Sequence, residues 1–202
     1  MPRAEFFAHF GILHVRAFFD AGTCERLREE IRGAVGEAAT ILRAGAKEVD
    51  EEVRKVTGTD VSPTVQALVA DRLTAITPDL ERHFGVTLSG YEEPSFLRYR
   101  AGDFYVAHRD VLDDPGDAAW LRPRKVSVVV FLNEPGETLD PPGYGGGLLT
   151  FAGLLDDPKL RAVGVPLVAE TGLLVAFRSD MLHAVTPVTH GERYTIVTWF
   201  YQ

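Results

Sequence analysis

YRAGDFYVAHRD, running from Tyr99 to Asp110, reads as a tight turn between two strands, Ser95 to Arg100 and Phe104 to His108. Its end carries the chemistry. His108 and Asp110 are two apart, so on extended backbone their side chains point to one face. A second imidazole from a distant strand would complete a facial set of two His and one carboxylate. That set suits Fe(II), because three positions stay open for a chelating cosubstrate and O2. The stretch HAVTPVTHGERYTIVTW, His183 to Trp199, offers both missing parts. His183 supplies the third ligand, and ten residues on comes Arg193. From Arg193 the pattern alternates, placing Arg193, Thr195, Val197 and Trp199 on a shared face. A planar guanidinium there is built to grip a carboxylate in bidentate fashion. An H-x-D is a common accident; the flanking strands, including the apolar run ending in Phe177, give this one weight.

Outward from this pair, the second half of the chain is a succession of short apolar runs divided by Gly/Pro turns. Further runs are Lys125 to Leu132, Gly147 to Phe151, Leu173 to Phe177, His183 to Val188 and Arg193 to Tyr201. This is the pattern of an antiparallel sandwich or barrel. The first half reads differently. Phe6 to Val15 suggests an opening strand. Asp20 can cap a helix over Ala21 to Val35, where Cys24, Leu27, Ile31 and Val35 recur at helical spacing. Val49 to Val56 reads as an edge strand or its approach. Ser62 and Pro63 start a second helix through Ile76, which Thr77-Pro78 interrupts, and Thr77 begins a further short helix that Gly85 ends. Helices first and strands after predict an α+β fold, the strands closing as a double-stranded β-helix (jelly roll) with the N-terminal helices packed on one face. One domain is expected over 1–202, with 1–85 mainly helical support and 86–202 the jelly-roll core.

Composition narrows the class. A chain of 202 residues is long enough to bury a sizeable core. A net charge of −8 argues against a phosphate-backbone partner, so no nucleic acid is expected. No apolar run approaches the length of a membrane span, and MPRAEFFAHF has no apolar region of the signal-peptide kind. Cys24 is the only cysteine, which excludes an internal disulfide and fits a reducing compartment. The expected location is cytoplasmic.

Four stretches carry a resemblance. FLRYRAGDFYVAHRD (Phe96 to Asp110), VSVVVFLNE (Val126 to Glu134), GGGLLTF (Gly145 to Phe151) and GLLVAFRSDMLHAVTPVTHGERYTIVTWF (Gly172 to Phe200) resemble the prolyl 4-hydroxylase type of Fe(II)/2-oxoglutarate-dependent dioxygenase. The likeness covers the C-terminal half motif by motif and the N-terminal part loosely. It implies Fe(II) on His108, Asp110 and His183, with 2-oxoglutarate chelated to the iron and O2 as the oxidant. It implies Arg193 on the distal carboxylate of 2-oxoglutarate, with Tyr99 hydrogen-bonding the same group. Leu149 and Val185 match the apolar lining of the cosubstrate pocket. Phe131 is a departure, since some members of the family carry a hydroxylated ring there. The implied reaction is hydroxylation of an unactivated C–H bond with release of succinate and CO2.

Substrate is where the readings divide. The leading one is a prolyl residue or related peptide, and the alternative is a free amino acid or small natural product on the same scaffold. A non-catalytic jelly-roll binding module has no reason to keep every metal and carboxylate contact. A Zn(II) hydrolase could use the same ligands but needs no Arg and Tyr for a second carboxylate. Tyr105, Arg109 and Trp120 are the candidates on the substrate side. The loops Val111 to Arg124 and Asn133 to Gly147 are long enough to act as lids or walls. Asp113, Asp114 and Asp117 could attract a cationic substrate or simply form a solvated face.

Overall fold

Capped starts and apolar residues at three- and four-residue spacing produce the two long helices. The computed structural model describes residues 4–43, 46–111, 123–136, 143–155, 157 and 159–202. Helix α1 (Ala4–Ala8) precedes β1 (Leu13–Val15), and α2 (Ala21–Gly33) follows. Asp20 caps α2 by accepting the Thr23 amide at 2.7 Å, and Cys24, Leu27 and Ile31 form its buried stripe. Five short strands come next: β2 (Gly36–Ala38), β3 (Ile41–Arg43), β4 (Ala46–Glu48), β5 (Arg54–Lys55) and β6 (Thr57–Thr59). Helix α3 (Pro63–Phe84) starts on the Ser62 cap and stops at Gly85, whose φ of 64° is the left-handed conformation a glycine adopts cheaply.

Two expectations about this half are corrected. The helix does not break at Thr77-Pro78 but runs through it. Pro78 removes one backbone hydrogen bond and costs about 3 kcal/mol in a helix interior. Leu73 and Leu80, both fully buried in the same core, lie on either side of it. Burying two leucines contributes about 1.5–3 kcal/mol each, enough to offset the proline. Phe6 to Val15 is likewise not one strand: its first part is α1, with Phe7 buried, and only Leu13–Val15 is extended.

The remaining strands are β7 (Gly90–Tyr91), β8 (Ser95–Tyr99), β9 (Phe104–His108), β10 (Arg124–Phe131), β11 (Gly145–Gly146) and β12 (Leu149–Phe151). After them come β13 (Val165–Pro166), β14 (Leu174–Arg178), β15 (His183–Val185), β16 (Val188–His190) and β17 (Arg193–Tyr201). The run expected as one strand from His183 to Val188 is two, parted at Thr186 and Pro187, where proline has no amide for a ladder. One sheet has the order β1-β14-β10-β17-β8-β6-β2, with β7 also on β17; the other has the order β13-β12-β15-β9-β5. The pairings in both are antiparallel. The α+β architecture with two antiparallel sheets is the one expected.

Alternation along the central strands explains where the cores sit. Val126, Val128 and Val130 of β10, with Tyr194, Ile196 and Phe200 of β17, pack against Leu27 and Ile31 of α2 and Val69 and Leu73 of α3. The intervening residues Val129 and Phe131 face the other way and join Leu149, Phe151, Val175 and Phe177 between the sheets. A strand buried on both faces reads as a continuous apolar run, as VSVVVF does. The one hydroxyl in that run, Ser127, is thereby placed on the inner side, toward the site.

Candidate metal centre

His108 ends β9 directly opposite His183 on β15. A bulge between the strands pairs Tyr105 with Val185, so Val106 and Ala107 of β9 stand opposite Ala184 alone on β15. Asp110 lies beyond the end of its strand, and simple alternation does not deliver it. The turn at Ser179 does: the Ser179 carbonyl accepts the amides of Asp110 at 2.8 Å and Val111 at 3.2 Å. The result brings one ligand atom from each of His108, Asp110 and His183 within 4.8 Å of the others.

The orientation of each ligand is set by a second hydrogen bond. His108 Nδ1 donates to the Val106 carbonyl at 2.8 Å, and His183 Nδ1 to the Met181 carbonyl at 2.9 Å. Each ring therefore turns Nε2 toward Asp110, at 3.5 Å and 3.4 Å from its oxygens, and that nitrogen is the one free to bind a metal. Asp110 is in turn held by Ser127, whose Oγ donates to Oδ2 at 2.7 Å and lies 3.0 Å from Ser179 Oγ. Burial alone would raise the Asp110 pKa, but its hydrogen-bonded and charge contacts with the two His and Ser127 hold it well below the carboxylate range. Burial pushes His183 down to about 4, against the opposing pull of Asp110. Two imidazole nitrogens and one ionised carboxylate are the donor chemistry of a divalent iron site.

Two predictions follow from these contacts. Ser127→Ala should weaken metal affinity by roughly 10–100-fold while leaving the ligands in place, as loss of such an orienting partner does; a chelator-competition titration reads it. In metal-free protein, the depressed pKa of His183 makes its contribution to stability present above its unfolded value of 6.5. That contribution is lost as pH falls toward about 4, because the unfolded chain then binds the proton that the folded one refuses. Chemical denaturation at a series of pH values should show stability falling through that window, and less so in His183→Gln.

Arg193 opens β17 and is 1% exposed. Its guanidinium lies over the rings of Tyr99 at 4.8 Å and Phe131 at 5.2 Å, and Nη1 approaches Thr195 Oγ1 at 3.5 Å. No carboxylate among the described residues pairs with it, and its buried Nε has no hydrogen-bond partner. Tyr144, missed in the sequence, stands against the same guanidinium, whose charge opposes the rise that burial imposes on that phenol's pKa. It brings a hydroxylated ring to the guanidinium that Phe131, the departure from the family pattern, contacts without a hydroxyl. Gly147, at φ 57°, permits this packing, since a Cβ there would sit 2.9 Å from Arg193 Cδ. Leu149 and Val185 are cross-strand partners and buried; Val185 packs with Tyr99 in one cluster.

The substrate-side candidates part company. Tyr105 stacks on His108 at 3.5 Å between ring centroids, and burial pushes its phenol up to about 12, so it stays protonated. Arg109 is exposed and donates to the Asp180 carbonyl. Trp120 and the cluster Asp113, Asp114 and Asp117 lie outside the described residues, as does most of the loop Val111 to Arg124. Arg124, missed in sequence, packs 3.8 Å over Trp199 and forms a bidentate pair with Glu92. Ser127 could have been noticed as the lone hydroxyl in an apolar strand; Tyr144 sits in a glycine-rich loop that carries no periodicity.

The fold and this donor set define a recognisable class. Residues 94–201 match the 2OG-Fe(II) oxygenase superfamily, and the chain belongs to that family. Among curated proteins, a PKHD-type hydroxylase of Klebsiella pneumoniae (strain 342) is 32% identical over 144 residues, which are 71% of this chain and 56% of that protein. The chain spans about half the length of the curated relatives it matches. Among solved structures, a Pseudomonas putida prolyl-4-hydroxylase superposes with a TM-score of 0.67 at 24% identity, covering 98% of this chain and 96% of that one. A prolyl hydroxylase from Trichoplax adhaerens, solved with a hypoxia inducible factor peptide fragment, gives 0.69 at 16% identity over 98% and 86% of the two chains. The double-stranded β-helix is therefore the fold, and Fe(II) and 2-oxoglutarate are the family's metal and cosubstrate. Among the described residues, no helix is long and apolar enough to cross a membrane.

Proposed function

We propose that residues 1–202 act as one catalytic unit that hydroxylates an unactivated C–H bond of a prolyl residue or related peptide. His108, Asp110 and His183 would hold Fe(II), which with 2-oxoglutarate and O2 supplies the oxidising power for hydroxylation and leaves succinate and CO2. Arg193 binds the distal carboxylate of the cosubstrate, with Tyr99 as a further donor. Leu149 and Val185 line that pocket and keep water from it. The observation that carries this reading is the buried Arg193 guanidinium, which no carboxylate among the described residues balances and whose Nε has no hydrogen-bond partner. A buried cation is retained at a cost of several kcal/mol unless an anion completes it, and a dicarboxylate does so. The prolyl substrate is supported by what the structural neighbours act on, and scaffold likeness alone hosts many substrates.

The test is succinate release by the iron-loaded protein, offered Pro-containing peptides and, separately, free amino acids. Iron-dependent succinate that rises with peptides supports the proposal. A rise with amino acids alone moves the substrate to a small molecule on the same scaffold. No succinate from protein that binds iron overturns the oxygenase reading.

A further inference from the structure

Three guanidinium groups among the described residues have a buried Nε without a hydrogen-bond partner: Arg54, Arg98 and Arg193. Arg98 has charge to balance it. It is paired across strands with Tyr194, on the helix-facing side, and its charge helps hold Glu192 below its ordinary pKa. Arg193 has the role proposed above. Arg54 has none.

Arg54 is 9% exposed and lies on β5, the edge strand of the sheet that carries both metal-binding histidines. Its direct cross-strand partner is Tyr105, whose own partner on β15 is Val185, and Val185 pairs with Leu149. Directly opposed residues of antiparallel strands share a face. Leu149, Val185, Tyr105 and Arg54 therefore form one row that runs from the cosubstrate pocket to the sheet edge. The guanidinium lies 4.9 Å from the Tyr105 ring centroid, and the same ring stacks on His108. Only one aromatic ring separates this cation from a metal ligand. Nη1 donates to the Thr40 carbonyl at 2.8 Å, and no carboxylate among the described residues pairs with the group. The other arginine near Tyr105, Arg124, is neutralised by Glu92.

We propose that Arg54 binds a carboxylate of the primary substrate, so that the hydroxylated molecule is an acid: either a free amino or other organic acid, or a peptide presenting a C-terminal or side-chain carboxylate. A buried guanidinium without an anion is a costly arrangement, and a planar donor fork one ring from the iron ligand matches that group. The row then carries two anion sites, Arg193 for the cosubstrate and Arg54 for the substrate, with Tyr105 at the substrate end. This rests on the oxygenase reading and deepens it.

The test uses the full chain loaded with Fe(II) and two pools, free L-amino acids and short Pro-containing peptides. Each is offered with free carboxylates and again as amides, with Asn and Gln replacing Asp and Glu in the peptides. Stimulation of succinate release by the carboxylate form of one pool, and not by its amide form, is expected; the pool that responds identifies the source. Arg54→Gln should lower that stimulation by at least about tenfold, the loss of one charged hydrogen bond, and Arg54→Lys should keep part of it. Anaerobic 2-oxoglutarate binding to metal-loaded Arg54→Gln, followed by its charge-transfer absorption, should stay near that of the wild type. Equal stimulation by acids and amides, stimulation by neither pool, or full stimulation in Arg54→Gln each overturns the proposal. So does a variant that loses metal affinity while keeping its preference for acids, since Arg54 would then only position Tyr105 and His108. Wild-type protein that fails to bind 2-oxoglutarate when metal-loaded removes the oxygenase reading itself, an outcome distinct from all of these.

Discussion

Asp110→Ala is expected to abolish iron-dependent succinate release, with metal affinity falling by more than the roughly 10–100-fold that loss of an orienting partner costs. The reason is charge as well as number of donors. Asp110 is the only anion of the triad, and its contacts with the two imidazoles and Ser127 keep it ionised against the opposing effect of burial. Alanine leaves two imidazole nitrogens and no anion, with a vacated position in a polar pocket beside Ser127 and Ser179. His183→Ala should have the same effect on turnover, removing a donor that is 6% exposed and wedged against Phe177. Isothermal titration with Mn(II), together with the succinate assay, separates loss of metal from loss of fold. Either variant retaining iron-dependent turnover near the wild-type level would contradict the assignment of these ligands.

Arg193→Met is expected to raise the 2-oxoglutarate requirement by roughly a hundredfold or more, since each hydrogen bond to a charged group contributes about 1.5–3 kcal/mol and a bidentate grip makes two. The effect should fall on cosubstrate affinity and leave metal affinity near its original value, because Arg193 touches no metal ligand. Stability should move the opposite way. The ligand-free wild type buries a guanidinium with no anion, so a methionine of similar reach should leave the ligand-free protein as stable or more so. Excess 2-oxoglutarate with metal, at about 100 times its dissociation constant, should stabilise the wild type by about 2.7 kcal/mol and the variant far less. Thermal melts with and without the cosubstrate read both effects at once. Unchanged cosubstrate affinity in the variant would sink the role given to Arg193.

Residue pattern and residue contact divide this protein between them. The α+β order, the strands β8, β9, β10 and β17, the helix starts at Asp20 and Ser62, the triad His108, Asp110 and His183, and the inward face of Arg193 were all legible in the chain. They depend on local rules: periodicity two or 3.6, a capping side chain, alternation of faces. The continuous helix through Pro78 was not legible, because propensity counts the lost hydrogen bond and not the two leucines buried on either side of it. Nor was the way Asp110 reaches the metal site, which depends on the Ser179 carbonyl some seventy residues on along the chain. Tyr144 beside Arg193, Ser127 under Asp110 and Arg54 beside Tyr105 are likewise meetings between segments far apart in the chain. Tyr144 lies in a segment that gives no period to read, and Ser127 and Arg54 lie on strands whose pattern gives a face but not the distant group met there. Sequence by itself determined which groups could do the chemistry. Only the packing of one sheet against the other decided which of them are buried, which are paired, and which cations are left waiting for an anion.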